Sequence, residues 1–171
     1  MQESNSSSSN TRDFFEIKIV DNDTCENAFG PIFPAGVDIL LRGSTSDGAT
    51  VDTEVSSCGI PTRESAPGVW YTIIGDGGVI TASTCTGTDY NSQISVFTGS
   101  CGQLTCVDGN GDACGIQSSV NFQSMQGQTY HLLVHGFGDA SGNFSLRITT
   151  TRLATLIYQA IEQEPSSPQY E

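Results

Sequence analysis

The chain has 171 residues, of which six are Lys or Arg and 19 are Asp or Glu, and its formal net charge is -13. A surface this acidic repels phosphate backbones and anionic lipid headgroups, so we expect no nucleic-acid partner. No apolar run approaches the roughly 18 residues that a membrane span requires, so we expect no membrane span. Only 15% of the residues are charged, against roughly 25% in an average soluble domain. Ser, Thr, Asn and Gly replace them, which is typical of secreted β-rich domains.

Cysteine usage and glycosylation triplets favour an extracellular location. The six cysteines lack the CxxC and CxxH spacings of zinc sites, so disulfides are the favoured interpretation. Residues 1–10 have neither the basic nor the apolar part of a signal peptide, so we expect that the leader is not present in this chain. Asn-x-Ser/Thr triplets begin at Asn5, Asn22 and Asn143. The predicted disulfide cysteines are Cys25, Cys58, Cys85, Cys101, Cys106 and Cys114.

The N-terminal part of the chain predicts little regular structure. Residues 1–12 form a Ser/Asn-rich tract that cannot bury apolar area, and we expect it to be a disordered tail. The alternation in Phe14–Val20 predicts a strand, and the residues after it predict a short helical turn at Cys25–Ala28. The long stretch that follows is rich in Gly, Pro and Ser and predicts only weak strands, at Val37–Leu41 and Ala49–Val55.

A regular pattern begins after Gly68. Short β-branched and aromatic runs alternate with Gly, Asp, Asn or Ser at intervals of roughly 8–12 residues, which is typical of an antiparallel sandwich or jelly roll. We therefore predict an all-β, disulfide-stabilised antiparallel β-sandwich of jelly-roll type over residues 13–151. Its predicted strands in this part are Val69–Ile74, Val79–Thr84, Gln93–Thr98, Leu104–Val107, Gln117–Gln123, Thr129–His135 and Asn143–Thr150.

The spacing of apolar residues changes near the C-terminus. Residues 152–164 carry them at helical intervals and predict an amphipathic helix, followed by a tail at residues 165–171. We expect its apolar stripe to contact the sandwich or a partner in an assembly. A second interpretation makes Arg147–Ile157 one long final strand. The stripe consists of Leu153, Leu156, Ile157, Ala160 and Ile161.

Several short motifs occur in a fixed order between Asp21 and Ile148. They are Cys25-Glu26-Asn27-Ala28, Gly48-Ala49-Thr50-Val51-Asp52, Cys58-Gly59, Gly68-Val69-Trp70-Tyr71, Thr81-Ala82-Ser83-Thr84-Cys85, Ile94-Ser95-Val96-Phe97-Thr98-Gly99-Ser100-Cys101, the loop Cys106 to Cys114, Gly127-Gln128-Thr129-Tyr130, Val134-His135-Gly136-Phe137 and Ser141-Gly142-Asn143-Phe144-Ser145-Leu146. In them the chain resembles the bacterial pre-peptidase C-terminal domain family and its relatives in algal surface proteins. The resemblance implies an extracellular β-sandwich that is a non-catalytic appendage of secreted peptidases and surface proteins. The chain departs from the family at Asn91, where the family often has Asp ahead of its Ile-x-Val-Phe strand.

The resemblance, together with proximity along the chain, also implies a disulfide pairing. Cys106 and Cys114 flank a loop of turn-forming residues, which would place them across a hairpin. The expected bridges are Cys25–Cys58, Cys85–Cys101 and Cys106–Cys114, with all six cysteines oxidised.

One loop has the side chains of a calcium site. Asp108, Asn110 and Asp112 place oxygen atoms at alternate positions, like the first half of a calcium-binding loop. A full EF-hand would need a Glu where Ser119 stands, so the loop is no EF-hand. Two interpretations remain: a loop of turn formers, and a surface calcium site that the charge of the chain would favour. Calcium is the only cofactor that we expect.

The two histidines do not form a metal pair in a strand. His131 and His135 would project from the same face about 13 Å apart at ~3.3 Å per residue, too far to share an ion. A hydrolase triad of His135, Asp139 and Ser141 is disfavoured because all three lie in one Gly-rich turn without a nucleophile elbow.

Aromatic residues offer a second type of site. Trp70 and Tyr71 should point to opposite faces of their strand. An exposed Trp70 or Tyr90 would be a sugar-stacking platform, whereas the alternative is a core aromatic.

The functional prediction is a non-catalytic module of secreted or cell-surface type. It would make structural or adhesive contacts with an extracellular protein or glycan, and it would not be an enzyme. The alternatives are a carbohydrate-binding module and the accessory domain of a secreted hydrolase.

Overall fold

The computed structural model describes residues 22–53, 55–60 and 65–151. Cys25–Asn27 form a single 3-10 turn, where the sequence predicts a short helical turn. The strands of the described residues are β1 (Phe29–Ile32), β2 (Ile39–Ser44), β3 (Val69–Ile74), β4 (Val79–Ser83), β5 (Ser92–Ser100), β6 (Gln103–Asn110), β7 (Ser119–Gln123), β8 (Thr129–Gly136) and β9 (Asn143–Thr151).

These strands form two sheets. The five-stranded sheet has the order β1-β3-β8-β5-β6, and the four-stranded sheet has the order β2-β9-β4-β7. Neighbouring strands are antiparallel, except that β1 runs parallel to β3. Of the pairs that are consecutive in the described chain, only β5 and β6 are hydrogen-bonded to each other. The chain therefore crosses from one sheet to the other at almost every connection, and the predicted all-β sandwich is confirmed.

Alternation along the strands places one set of side chains between the sheets. In β4, for example, Ile80 and Ala82 are fully buried while the residues on either side are only partly buried. A period of two follows from strand geometry, because successive side chains point to opposite faces. The largest fully buried side chains of this main core are Tyr71, Phe144, Ile73, Ile80, Ile94, Leu132, Leu146, Ile148, Val96 and Val120.

Strand predictions hold best after Gly68. The predicted Val69–Ile74 has the same bounds as β3, and the later predictions each overlap an observed strand. The weak strand predicted at Ala49–Val55 is wrong, since the described residues of this segment form only an isolated bridge, between Val51 and Pro67. β1 was not predicted, because its sequence Phe-Gly-Pro-Ile does not alternate.

All six cysteines form disulfides, as predicted, but each of the three predicted pairings is wrong. The observed bridges are Cys25–Cys101, Cys58–Cys106 and Cys85–Cys114, with sequence separations of 76, 48 and 29 residues. Cys106 and Cys114 were paired because they are close in sequence and a hairpin turn was expected between them. In the structure Asp108 to Asn110 belong to β6 and form no hairpin turn. After β6 the chain crosses to the other sheet, so Cys106 and Cys114 do not face each other across paired strands.

The observed bridges share one feature. Each has one partner in residues 101–114, which comprise the β5–β6 turn, the strand β6 and the loop after it. β6 is an edge strand, and no residue in it is buried. The three disulfides thus link this poorly buried part of the protein, residues 101–114, to three segments that are distant in sequence.

Some predictions fall on residues that the structure does not describe. These are the tail at 1–12, the strand Phe14–Val20, the helix at 152–164 with its apolar stripe, and the tail at 165–171. Within the described residues, no helix has the length and apolarity needed to cross a membrane.

Candidate functional site

The outer face of the five-stranded sheet is covered by chain. Trp70 on β3, Phe97 on β5 and Leu133 on β8 point away from the main core and form a second, smaller core with Cys58. The 3-10 turn and the segment after Val51 supply Cys25, Ala28, Val55 and Cys58 above them. Both faces of this sheet are therefore buried at β3, and Trp70 and Tyr71 are each fully buried although they point in opposite directions.

Asp52 anchors the covering segment to this second core. The indole N–H of Trp70 donates a 2.8 Å hydrogen bond to Asp52 Oδ1, while Oδ2 is buried and has no hydrogen-bond partner. Burial raises the pKa of Asp52 from 3.8 to about 6, the Trp70 hydrogen bond lowers it, and the nearby charge of Asp23 raises it. A carboxylate in these surroundings is partly protonated in mildly acidic solution.

A small cavity lies beside this carboxylate. Its volume is about 40 Å³, and Ser95 and His135 line it together with Asp52, Cys58 and Leu133. The cavity is large enough for one or a few water molecules, which need roughly 10–15 Å³ each by this measure. It is far below the roughly 300–1,000 Å³ of a small-molecule site.

His135 and Ser95 form a side-chain pair at the cavity wall. His135 Nε2 lies 3.3 Å from Ser95 Oγ, because β8 and β5 are paired and both residues point to the covered face. Asp139 and Ser141 are exposed in the loop after β8. Asp52 and Ser95 were not predicted as site residues, because a single polar residue in a strand or loop carries no pattern.

The other histidine lies nearer the turn of the β5–β6 hairpin. His131 is buried, and its ring nitrogens lie 3.3 Å from the Gly99 carbonyl oxygen and 3.6 Å from Cys25 Sγ. His131, Cys25 and Cys101 are the one group of three metal-ligand residue types within 4.8 Å in the described residues. Cys25 and Cys101 are bonded to each other, so neither sulfur is a thiolate ligand.

The predicted calcium residues lie at the end of β6 and in the loop after it. Asp108 Oδ1 accepts a hydrogen bond from the N–H of Gly109, and Asn110 Oδ1 accepts bonds from the N–H groups of Ala113 and Ser119. The side-chain oxygen of Asn110 therefore accepts the hydrogen bonds that hold the loop. Asp112 is exposed, and the calcium site stays a prediction.

The predicted ligand-binding aromatics present no ring to solvent. Trp70 is 0% exposed and Tyr90 is 6% exposed. Tyr90 lies in the main core, where burial raises the pKa of its hydroxyl to about 12. Both residues are core aromatics, and stacking on a sugar at the surface is not open to them.

The structure describes two of the three glycosylation triplets, and their asparagines differ in exposure to solvent. Asn5 lies outside the described residues. Asn22 is buried, and its Nδ2 atom, where a glycan would be attached, donates a 2.9 Å bond to the Trp70 carbonyl. Asn143 is exposed at the start of β9, with Nδ2 3.2 Å from Asp89 Oδ2. Access therefore favours Asn143 over Asn22.

Comparisons with known proteins do not assign a family. A scan against models of known protein families found no match, and a search of curated proteins found no relative. The sequence and structure together establish a two-sheet β-sandwich of five and four strands that is held by three disulfides, which indicate an oxidising compartment.

Proposed function

We propose that this chain is a non-catalytic module of a secreted or cell-surface protein, which makes structural or adhesive contacts with an extracellular protein or matrix. The observation that carries the proposal is the closed outer face of the five-stranded sheet. Two disulfides, Cys25–Cys101 and Cys58–Cys106, fix the covering segments, and the space left beside Ser95 and His135 is about 40 Å³. A peptide or sugar substrate is larger than this space.

The location follows from a separate set of observations. Three disulfides in a chain of net charge -13 suit an oxidising, extracellular environment. The motifs that resemble pre-peptidase C-terminal domains support the same location and a role beside another domain or at a cell surface. A sugar-binding role through Trp70 and Tyr90 has less support, because both rings are buried.

The proposal is tested by measuring binding and turnover with the same protein. The oxidised chain should be retained on surface or matrix material from its source cells, and a reduced and alkylated sample should not. The oxidised chain should also leave p-nitrophenyl acetate, a casein digest and aryl glycosides unhydrolysed, with the same background as Ser95→Ala and His135→Ala variants. Hydrolysis by the parent chain that Ser95→Ala removes would overturn the non-catalytic assignment. Equal retention of the oxidised and reduced samples would overturn the adhesive one.

A further inference from the structure

The outer face of the four-stranded sheet differs from the rest of the protein surface. Its strands bury alternate side chains in the main core, so the remaining side chains point outward. We name these outward residues the polar face. They are Leu40, Arg42 and Ser44 of β2, Val79, Thr81 and Ser83 of β4, Ser119, Asn121 and Gln123 of β7, and Asn143, Ser145, Arg147, Thr149 and Thr151 of β9.

Hydroxyl and amide groups dominate the polar face. Ten of its fourteen residues are Ser, Thr, Asn or Gln, and it has no aromatic residue. Register places the hydroxyls in rows across the strands, with Thr81 between Asn121 and Thr149. Thr81 donates a 2.6 Å hydrogen bond to Asn121 Oδ1, so these two side chains hold each other in a fixed arrangement.

The polar face differs from the rest of the described surface in its charged residues. Arg42 and Arg147 are the only Lys or Arg among the described residues, and both belong to it. The described residues include ten acids, and none of them is among the fourteen residues of the face. One of them, Asp38, lies at its margin and binds Arg147. Arg42 pairs with Ser145 and Arg147 with Leu40 across β2 and β9. The two arginines are therefore diagonal neighbours, roughly 7–8 Å apart by sheet geometry.

One arginine of the face already binds a carboxylate. Arg147 Nε donates a 2.8 Å hydrogen bond to Asp38 Oδ1, and its Nη2 donates to Asp38 Oδ2. This is the two-bond geometry with which a guanidinium recognises a carboxylate. Arg42 is exposed and has no ion pair with any described residue.

We propose that the polar face binds a carboxylated polysaccharide, with Arg42 pairing to its uronate groups and the Thr, Asn and Gln side chains bonding to its ring hydroxyls. The inference rests on the proposed function, since it names the matrix component contacted. A neutral polysaccharide fits less well because the face lacks a ring on which a sugar could stack. A protein partner fits less well because Leu40 and Val79 are the only apolar residues of the face, whereas protein interfaces have an apolar centre.

The size of the face suits a short stretch of polymer. Four strands at about 4.8 Å spacing and the outward residues of β9 at intervals of about 6.8 Å make a surface that several sugar units can follow. Among the described residues, the chain that contacts this face lies mainly at one corner, where Thr88 and Asp89 contact Ser145 and Asn143.

The net charge of the protein should give the affinity for the polysaccharide an unusual dependence on salt concentration. At 10 mM salt the Debye length is about 30 Å, so the charge of -13 repels the polymer; at 150 mM it is about 8 Å, and only the nearby arginines act on it. We therefore expect tighter binding at 150 mM than at 10 mM salt, the reverse of a basic polyanion-binding protein.

The test measures binding of polygalacturonate oligomers to the full oxidised chain by calorimetry at both salt concentrations. Arg42→Gln should weaken binding at least tenfold at 150 mM salt, and Thr81→Val with Thr149→Val should weaken it several-fold. Asp38→Asn should tighten it several-fold by releasing Arg147. Thr105→Val, on the exposed edge strand β6, is the matched control and should change nothing.

Other outcomes would overturn the inference. They are binding of a neutral dextran as tight as that of polygalacturonate, tighter binding of dextran sulfate than of polygalacturonate, and an unchanged affinity of Arg42→Gln for polygalacturonate. A dimer in sedimentation that Arg42→Gln dissociates would also overturn it. Circular dichroism and thermal unfolding of each variant establish that it is folded. If the chain is retained on matrix material but binds no polygalacturonate, this inference fails while the proposed function stands.

Discussion

Replacing Asp52 by Asn should stabilise the protein at neutral pH. The folded state raises the pKa of this carboxyl from 3.8 to about 6, chiefly by burial. The folded protein thus binds this proton more tightly than the unfolded chain, so the contribution of Asp52 to stability is highest below about pH 4. It falls as the pH rises from 4 to 6 and levels off above about 7. Asn keeps an oxygen that accepts the Trp70 N–H and removes the charge.

The expected magnitude follows from the pKa difference. Raising the pKa from 3.8 to about 6 corresponds to at most ~3 kcal/mol, since a tenfold change in proton affinity is ~1.4 kcal/mol. Asp52 is only partly buried, and solvent screening reduces this figure to about 1–2 kcal/mol. Asp52→Asn should therefore be about 1–2 kcal/mol more stable than the parent at pH 7 and no more stable at pH 4.

Urea unfolding followed by the fluorescence of Trp70, the single tryptophan, measures this directly. The useful quantity is the difference between parent and variant at each pH, because other carboxyls titrate equally in both. Asp112→Asn, which removes an exposed carboxylate, is the matched control. A difference that does not change between pH 4 and pH 7, or an Asp52→Asn variant less stable at pH 7, would refute the reasoning.

Three further predictions concern packing and modification. Gly43→Ala would place a methyl group within 3 Å of the buried Phe144 ring and the Tyr71 hydroxyl, so it should cost about 1–3 kcal/mol in urea unfolding, with recovery in Phe144→Leu. Gly109→Ala would meet the Cys58 carbonyl oxygen and should cost more than 3 kcal/mol, whereas Gly111→Ala would meet only the side chain of Gln93 and should cost less than 1. Peptide mapping of the glycosylated protein should find Asn143 occupied and Asn22 empty; the reverse occupancy would contradict the buried position of Asn22.

The sequence predicts strands well where the signal is local. Val69–Ile74 is a continuous run of β-branched and aromatic residues between two glycines, and Asn143–Thr151 begins with alternating polar and apolar residues, so no distant information is needed. Residues 49–58 lack such a period. The described residues among them are held by Asp52, by the bridge at Val51 and by Cys58, and each of these contacts joins residues far apart in the chain.

Sheet membership could not be predicted in the same way, and the disulfides depend on it. Turn residues after β4 and β6 are compatible either with a hairpin or with a crossing to the opposite sheet. The chain crosses in both places, which separates the cysteines that are near in sequence and brings Cys85 to Cys114. The covering of the outer face of the five-stranded sheet could not be predicted for the same reason. The sequence shows that Trp70 and Tyr71 point in opposite directions, but not that both directions lead into a core.

Replacing both cysteines of one disulfide by Ala, and comparing two such variants, separates the contribution of the covalent link from that of packing. By chain entropy, loops of 48 and 29 residues contribute roughly 4 and 3.5 kcal/mol, so Cys58–Cys106 and Cys85–Cys114 would differ little. Cys58, however, is 1% exposed and packs with Trp70, whereas Cys85 and Cys114 are exposed. Replacing Cys58 and Cys106 by Ala should therefore cost about 1–2 kcal/mol more and shift Trp70 fluorescence to the red, because a cavity opens beside the indole. Equal losses in urea unfolding, with unchanged fluorescence in both variants, would mean that the segment over Trp70 adds no packing energy.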